Sequence, residues 1–300
     1  EDLALLRHVL PESVSQIGVA QSSPHYQDVF NHTRSVLLHL RTLYTLLWPG
    51  EAAPPAPAAE DGTVLAPANQ WVDVAALLAP YAAELREHLC LPLASGHVRR
   101  DLLVWAAVAH DWGKPARRTV NPEGDTHFYD HDHWGALLAQ TRLQALKFAG
   151  DEIAYVARLV DYHMRPAHLA HDYPPSRRAI YRFFRDAEST GPDCVLLSLA
   201  DTMATRATAP DPEGCQRRLG TSRMLLDAYF RERATWVSPA PLLNGRQVMA
   251  ELSLPPGPQV GRLIEGLREA QATGEVRTAE EAAVWLRRQM SLTGEAQVEG

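Results

Sequence analysis

The sequence predicts an all-α protein. Apolar residues recur every three or four positions through most of the chain, which is the spacing of one helix face. Gly, Pro and Asp separate these periodic segments at intervals typical of helices. β character is confined to a short stretch around Phe128 and Tyr129, where one hairpin would not change the class.

The first helices follow from this periodicity. Residues 2–14 and 28–48 have apolar residues at helical spacing, and Leu37, Leu38, Leu40, Leu43 and Leu47 form the stripe of the longer helix. The Pro/Ala-rich segment 49–69 has no period and predicts an extended loop or linker. Further helices are predicted at 72–89, 98–110, 133–149, 152–162, 176–186 and 194–206, with a loop at 166–175.

A change in organisation follows the helix predicted at 217–235, because prolines become frequent after it. Three short helices then follow, at 245–251, 259–273 and 278–289. Thr278 and Glu281 have the spacing of a capping box. We therefore predict a large helical domain over 1–236 and a small helical tail domain over 237–300.

Composition limits the functional classes. The formal charge of −7 argues against a dedicated binder of long nucleic acid, because such proteins usually have a basic domain. The charge favours a small nucleotide or an RNA end as the substrate. The longest uncharged apolar run, Leu102–Ala109, is far shorter than the roughly 20 residues of a membrane span. Three scattered cysteines without a CxxC pair fit a reducing compartment. We expect a cytoplasmic protein with no membrane partner.

His110 and Asp111 are the most informative residues, because they end the apolar run LLVWAAVAH. Neighbouring helical residues point about 100° apart, so the two side chains could hold one metal ion from two directions if the helix end is buried. A buried carboxylate is costly unless it is paired or binds metal. Other His and Asp residues in helical segments could complete such a site: His32, His131, His163 and Asp201.

The series His, His-Asp, His, His, Asp resembles the HD superfamily of metal-dependent phosphohydrolases. The segment FYDHDHWGA resembles the FxGHxxxGA segment of bacterial tRNA nucleotidyltransferases and poly(A) polymerases. The stretch from PLLNGRQVMAELSLPPGPQVG to AVWLR is similar to the carboxy-terminal part of the same enzymes. The resemblance implies an HD-domain helical bundle followed by a small helical tail domain.

The resemblance also implies roles for the site residues. His32, His110, Asp111 and Asp201 would form the minimal metal site. His131 and His163 would either recruit a second ion, with Asp111 bridging, or contact the substrate phosphate. Imidazole with carboxylate suits Mn, Fe, Co, Ni or Zn, and suits Mg less well.

Three cations are candidates for substrate contacts. Lys114, which follows the pair in HDWGKP, would meet a phosphate oxygen or a developing negative charge; the alternative is that it satisfies carbonyls at the helix end. Arg165 and Arg206 would contact phosphate, with a surface ion pair as the equal alternative. We assign structural roles to His25, His39, His88 and His97, and no role to His127, His133, His168 and His171.

The function predicted from the resemblance is hydrolysis, by metal-activated water, of nucleotides or RNA-terminal phosphates such as 2′,3′-cyclic phosphates, with Asp111 and Lys114 as catalytic residues. The alternative is a non-catalytic module that binds tRNA for a separate nucleotidyltransferase. The nucleotidyltransferase head of the similar enzymes carries a Gly-Ser turn and a DxD pair, and neither precedes His32. Whether the chain stands alone or forms the rear of a longer protein stays open, as does its oligomeric state.

Overall fold

A computed structural model describes residues 2–50, 68–206 and 211–295. Most of the predicted Pro/Ala-rich segment 49–69 lies outside these residues. Contacts divide the chain into two units: Glu1–Pro174 with Ala187–Leu226, and Pro175–Asp186 with Asp227–Gly300.

The described chain is helical apart from one short hairpin, so the predicted all-α class is confirmed. The helices up to residue 117 are α1 (Asp2–Val9), α2 (Pro11–Val14), α3 (Val29–Leu47), α4 (Ala68–Leu78), α5 (Ala82–Leu89), α6 (Arg99–Ala109) and α7 (Lys114–Arg117). The hairpin strands are β1 (Arg118–Val120) and β2 (Thr126–Phe128). The later helices are α8 (His131–Ala145), α9 (Gly150–Tyr162), α10 (Arg165–Leu169), α11 (Arg177–Ala187), α12 (Gly191–Arg206), α13 (Pro212–Phe230), α14 (Gly245–Leu252), α15 (Pro258–Thr273) and α16 (Ala279–Glu295).

Helix α3 begins with a side-chain cap. The carboxylate of Asp28 accepts a hydrogen bond from the backbone N–H of Asn31 at 2.9 Å, which satisfies one of the N–H groups that a helix start leaves unpaired. The apolar stripe that follows is buried at Val36, Leu40, Leu43 and Leu47. This stripe packs α3 against α6 and α12, and it fixes the orientation of the His32 side chain in the first turn.

Helix α12 forms the centre of the first unit. Residues 191–200 are buried around the whole helix circumference, including Cys194, Val195, Leu196 and Leu197 with no exposed surface. A helix that is buried on every face belongs in a core. Asp201 follows this buried stretch directly, so its carboxylate is held next to the interior of the unit.

The hairpin is antiparallel, with Thr119 opposite His127. Its β2 strand is tied to the segment before α3, because the hydroxyl oxygen of Ser22 accepts a hydrogen bond from the N–H of Thr126 at 2.6 Å. Two residues 104 positions apart in sequence are thereby joined.

Several element boundaries differ from the sequence prediction. The predicted helix 72–89 is interrupted by a 3-10 turn at Ala79–Tyr81, where Pro80 cannot donate a backbone hydrogen bond. The predicted loop 166–175 begins with the short helix α10, in which Pro166 occupies a first-turn position that needs no N–H. The helix predicted at 217–235 ends at Phe230 and is followed by a π-helical turn at Arg233–Val237.

The second unit has its own apolar core around α14, α15 and α16, with Val248, Leu267, Ala282 and Leu286 almost fully buried. Half of the predicted capping box of α16 is present, since the Thr278 hydroxyl accepts the N–H of Glu281 at 3.2 Å. The Glu281 carboxylate accepts the N–H of Arg277, at 2.6 Å, in place of that of Thr278. Among the described helices, none is long and apolar enough to cross a bilayer.

Candidate metal centre

The six residues that the sequence marks as possible ligands lie close together in the first unit. They come from five helices or helix ends. His32 is in the first turn of α3, His110 and Asp111 directly follow α6, His131 begins α8, His163 directly follows α9, and Asp201 lies in α12.

Asp111 is at the centre of this cluster. Its Oδ2 lies 3.2 Å from Nε2 of His110 and 3.8 Å from Nε2 of His32, and its Oδ1 lies 3.4 Å from Nε2 of His131. Asp201 contacts the cluster through His32, with its Oδ1 2.9 Å from Nε2 of His32. The side chains of His32, His110, Asp111, His131 and His163 are buried, while Asp201 is partly exposed.

Three of the histidines are held in the same way. The Nδ1 atoms of His110, His131 and His163 lie 2.8, 2.8 and 2.6 Å from the backbone carbonyl three residues earlier. A carbonyl only accepts, so Nδ1 carries the hydrogen in each ring, and Nε2 of the neutral imidazole is left as an acceptor. The Nε2 atoms of all three are buried and have no hydrogen-bond donor among the described residues.

This arrangement directs acceptor atoms towards one another. Imidazole nitrogens with lone pairs face carboxylate oxygens in a buried space, which is unfavourable unless a positive charge lies between them. The fixed tautomers are those found in metal-ligating histidines, whose second nitrogen donates to a carbonyl or carboxylate. The donor set therefore fits a divalent cation.

The pKa shifts of Asp111, His163 and Asp201 agree with this reading, whereas the pKa of His110 is raised, because the contact with Asp111 outweighs burial. Burial alone would raise the pKa of Asp111, but His110 and Lys114 hold it well below its usual range. Burial lowers the pKa of His163, and the neighbouring His110 and His131 lower it further, to about 3. The pKa of Asp201 is also lowered, because contact with His32 outweighs burial. Asp111 and Asp201 are thus ionised and His163 is neutral, which are the forms that bind metal.

Two groups of side chains could each hold one metal ion. The first contains His32, His110 and Asp111, and the second contains Asp111, His131 and His163; within each group the ligand atoms lie within 4.8 Å of one another. Asp111 belongs to both groups.

Gly113 permits the close packing around Asp111. A Cβ atom at this position would overlap the backbone carbonyl oxygen of His131 and lie 2.8 Å from the backbone nitrogen of Gly135. The turn after the His-Asp pair therefore contacts the α8 backbone directly, and this contact places His131 beside Asp111.

Lys114 lies inside the cluster. Its Nζ is 2.7 Å from Oδ2 of Asp111 and donates a hydrogen bond to Oε1 of Gln21 at 2.7 Å. The ammonium also lies over the ring of Phe128, 5.4 Å from its centroid. An ammonium has three N–H groups, so two of them have partners within the protein.

The two arginines predicted to contact phosphate are not seen at the cluster as Lys114 is. Arg165, in α10, lies with its guanidinium over the ring of Tyr162 at 5.7 Å, and it is not among the residues that line the cavity beside the cluster. Arg206 ends α12, and its side chain lies outside the described residues.

A cavity of about 460 Å³ opens beside the cluster, within the usual range for small-molecule sites. Its wall includes Asp111, Lys114, His131 and Asp201 from the predicted set. The remaining lining residues are Gln21, Ser22, Ser23, Pro24, His25, Asp125, Thr126, His127, Phe128 and Met164.

The sequence did not predict that these ten residues line the cavity, and it indicated a structural role for His25. All of them except Met164 come from the segment before α3 and from the hairpin, which are not periodic, so no spacing signal connects them to the ligands. His133, which was given no role, lies at the surface with Nδ1 3.3 Å from Asp161.

Comparison with known proteins agrees with this geometry. Residues 71–206 match the HD domain family, a range that contains every candidate ligand except His32. The chain is similar to the CC-adding tRNA nucleotidyltransferase of Thermus thermophilus, with 32% identity over 287 residues, which are 95% of this chain and 50% of that protein. It is 37% identical to the A-adding tRNA nucleotidyltransferase of Deinococcus radiodurans over 188 residues, which are 62% of this chain and 41% of that protein.

The chain thus spans half or less of the length of these relatives. HD domains bind divalent metals, in keeping with the donor set described above. Residues 71–206 are an HD domain, and the chain is homologous to CC- and A-adding tRNA nucleotidyltransferases over the region that contains it.

Proposed function

We propose that this chain is a cytoplasmic, metal-dependent phosphohydrolase that acts on nucleotides or RNA-terminal phosphates such as 2′,3′-cyclic phosphates. The observation that carries the proposal is the group of buried Nε2 acceptors around Asp111, with their tautomers fixed by backbone carbonyls. In a core that contains only protein, apolar side chains at these positions would cost less free energy than this group of buried polar atoms.

We assign the ligand roles to His32, His110, Asp111, His131, His163 and Asp201. Asp201 belongs to neither group of ligand atoms and is assigned through its contact with His32. If two ions bind, Asp111 would serve both groups; if one binds, His131 and His163 would contact the substrate phosphate. A divalent cation bound there supplies Lewis acidity, which polarises a phosphate and acidifies a water molecule. Mn, Fe, Co, Ni or Zn would suit this donor set better than Mg.

The protein's own residues then orient the substrate. Lys114 presents its remaining N–H to a phosphate oxygen while Asp111 and Gln21 hold the ammonium in place. The part of the cavity wall formed by Pro24, Phe128 and Met164 is apolar. Arg165 and Arg206 stay as predicted phosphate contacts, with a surface ion pair as the equal alternative for each.

The test is the metal content of the purified protein, followed by hydrolysis of 2′,3′-cyclic AMP and bis-p-nitrophenyl phosphate with each metal in turn. We expect bound transition metal and metal-dependent hydrolysis, both lost in His110→Ala and Asp111→Ala. The matched control is His133→Ala, since His133 is exposed and belongs to neither ligand group. Wild-type protein that binds metal and hydrolyses neither compound would contradict the proposal.

A second candidate function follows from the names of the relatives, which are tRNA nucleotidyltransferases. In this case the chain would bind tRNA and work with a nucleotidyltransferase unit, and the metal centre would be structural. Binding of tRNA by a protein that releases no phosphate with any divalent metal would favour this function.

A further inference from the structure

His25 lies on the wall of the cavity, seven residues before the candidate ligand His32. The two imidazole rings meet edge to face, with centroids 4.9 Å apart and planes at 86°. His25 therefore adjoins the candidate metal centre from the segment that precedes α3.

The backbone around His25 is held in place by contacts to both sides of the cavity. The N–H of His25 donates to the carbonyl of Ser22 at 3.1 Å, which closes a turn. The Ser22 hydroxyl accepts from Thr126 of the hairpin, and the side chain of Gln21 accepts from Lys114. The ring is thus presented by an anchored segment, which is the condition for a precise contact.

One nitrogen of His25 lacks a partner. Its Nδ1 is buried and makes no hydrogen bond with the described residues, and an unpaired buried polar atom is unfavourable unless a ligand or ordered solvent satisfies it. The Nε2 atoms of His110, His131 and His163 are in the same condition. His25 differs from them because it belongs to neither of the two groups whose ligand atoms lie within 4.8 Å of one another.

We propose that His25 is a substrate-contact residue, whose imidazole forms a hydrogen bond with an oxygen of the phosphate held at the metal centre. This inference rests on the proposed function and adds a specific residue to it. The contact supplements Lys114, which approaches Asp111 from the same cavity, so the phosphate would have one cationic and one imidazole partner from the protein.

Three substitutions test the proposal. His25→Ala removes the ring, His25→Phe keeps a ring without nitrogen, and His25→Asn keeps a polar atom near the position of Nδ1. The control is His8→Ala, on α1, which is exposed and does not line the cavity. Each protein is loaded with the metal found in the wild type, its metal content and melting temperature are measured, and inorganic phosphate is titrated into it by calorimetry.

We expect His25→Ala and His25→Phe to weaken phosphate binding and to raise KM for bis-p-nitrophenyl phosphate about tenfold, the effect of losing one hydrogen bond to a charged group. His25→Asn should stay within about threefold of the wild type, because it keeps a hydrogen-bonding group. Metal content should be unchanged in all three.

Wild-type phosphate affinity in His25→Ala and His25→Phe would overturn the proposal. Loss of metal in His25→Ala would also overturn it, because His25 would then be a ligand. An Asn variant as weak as the Ala variant would identify a packing role instead. If the wild type hydrolyses nothing with any metal, the proposed function fails, whereas phosphate binding that depends on His25 would still support the contact.

Discussion

The ammonium of Lys114 lies 2.7 Å from Oδ2 of Asp111, and the exposed fractions of the two side chains are only 8% and 2%. The pair joins residues three positions apart across the turn that follows α6. Lys114 therefore supplies positive charge to the same carboxylate that is shared by both candidate metal groups.

Lys114→Met tests whether the buried carboxylate of Asp111 needs a positive charge from either Lys114 or a metal ion. Without metal, the variant should lose about 3 kcal/mol of unfolding free energy, because Asp111 keeps its buried charge and loses a partner. Metal should restore much of this loss, since the cation replaces the missing charge. Urea unfolding with and without metal measures both effects. The control is Lys147→Met, at the exposed second lysine of the chain, and an equal loss with and without metal would contradict the prediction.

Metal removal should destabilise the protein. A cation that binds only the folded state at a hundredfold excess over its Kd contributes about 2.7 kcal/mol. We therefore expect a chelator to lower the melting temperature, and the matching metal to restore it. Asp111→Asn should show no such response, because it weakens both ligand groups. A melting temperature that ignores metal in the wild type would argue against a bound cation.

Gly113→Ala should disturb the site through packing alone. The added methyl group overlaps the carbonyl of His131, so α8 must shift, at a cost of about 1–3 kcal/mol. Metal affinity should fall with stability, because His131 moves away from Asp111. Gly150→Ala is the control, since a Cβ there meets nothing within 4 Å. Wild-type stability and metal affinity in Gly113→Ala would show that the turn has room to adjust.

Glu152→Gln should give a pH-dependent loss of stability. The buried carboxylate accepts hydrogen bonds from the N–H of Ala149 at 2.9 Å and from Nδ1 of His97 at 2.6 Å, and it also contacts the Ser95 hydroxyl. Burial alone would raise the pKa of Glu152, but these hydrogen bonds hold it below its usual value. The ionised form therefore stabilises the fold above the unfolded pKa of about 4.3, and this contribution is lost as the pH falls through the lower, folded pKa.

The variant should accordingly be about 1–2 kcal/mol less stable than the wild type at pH 7. The difference should shrink as the pH falls below about 4. Urea unfolding over a pH series measures it, with Glu123→Gln in the exposed hairpin turn as the control. A difference that does not change with pH would assign the effect to packing.

The helices could be predicted from the sequence because their apolar periodicity is a local property. The stripe of α3 and the largely apolar first part of α12 are examples, and the boundaries of both helices differ from the prediction by a few residues at most. The predicted boundaries were wrong at two prolines. Pro80 interrupts a predicted helix with a 3-10 turn, and Pro166 lies in the first turn of a short helix where a loop was predicted.

The sequence by itself determined which residue types were available as ligands, because His32, His110, Asp111, His131, His163 and Asp201 follow an ordered pattern of His and Asp within or next to helices. Only the tertiary structure decided which atoms face one another. The tautomers are fixed locally, by carbonyls three residues earlier in the chain. The shared position of Asp111 and the cavity wall at His25 depend instead on contacts such as Ser22 with Thr126, which lie 104 residues apart. Such contacts arise when helices and loops pack in three dimensions, and no local periodicity encodes them.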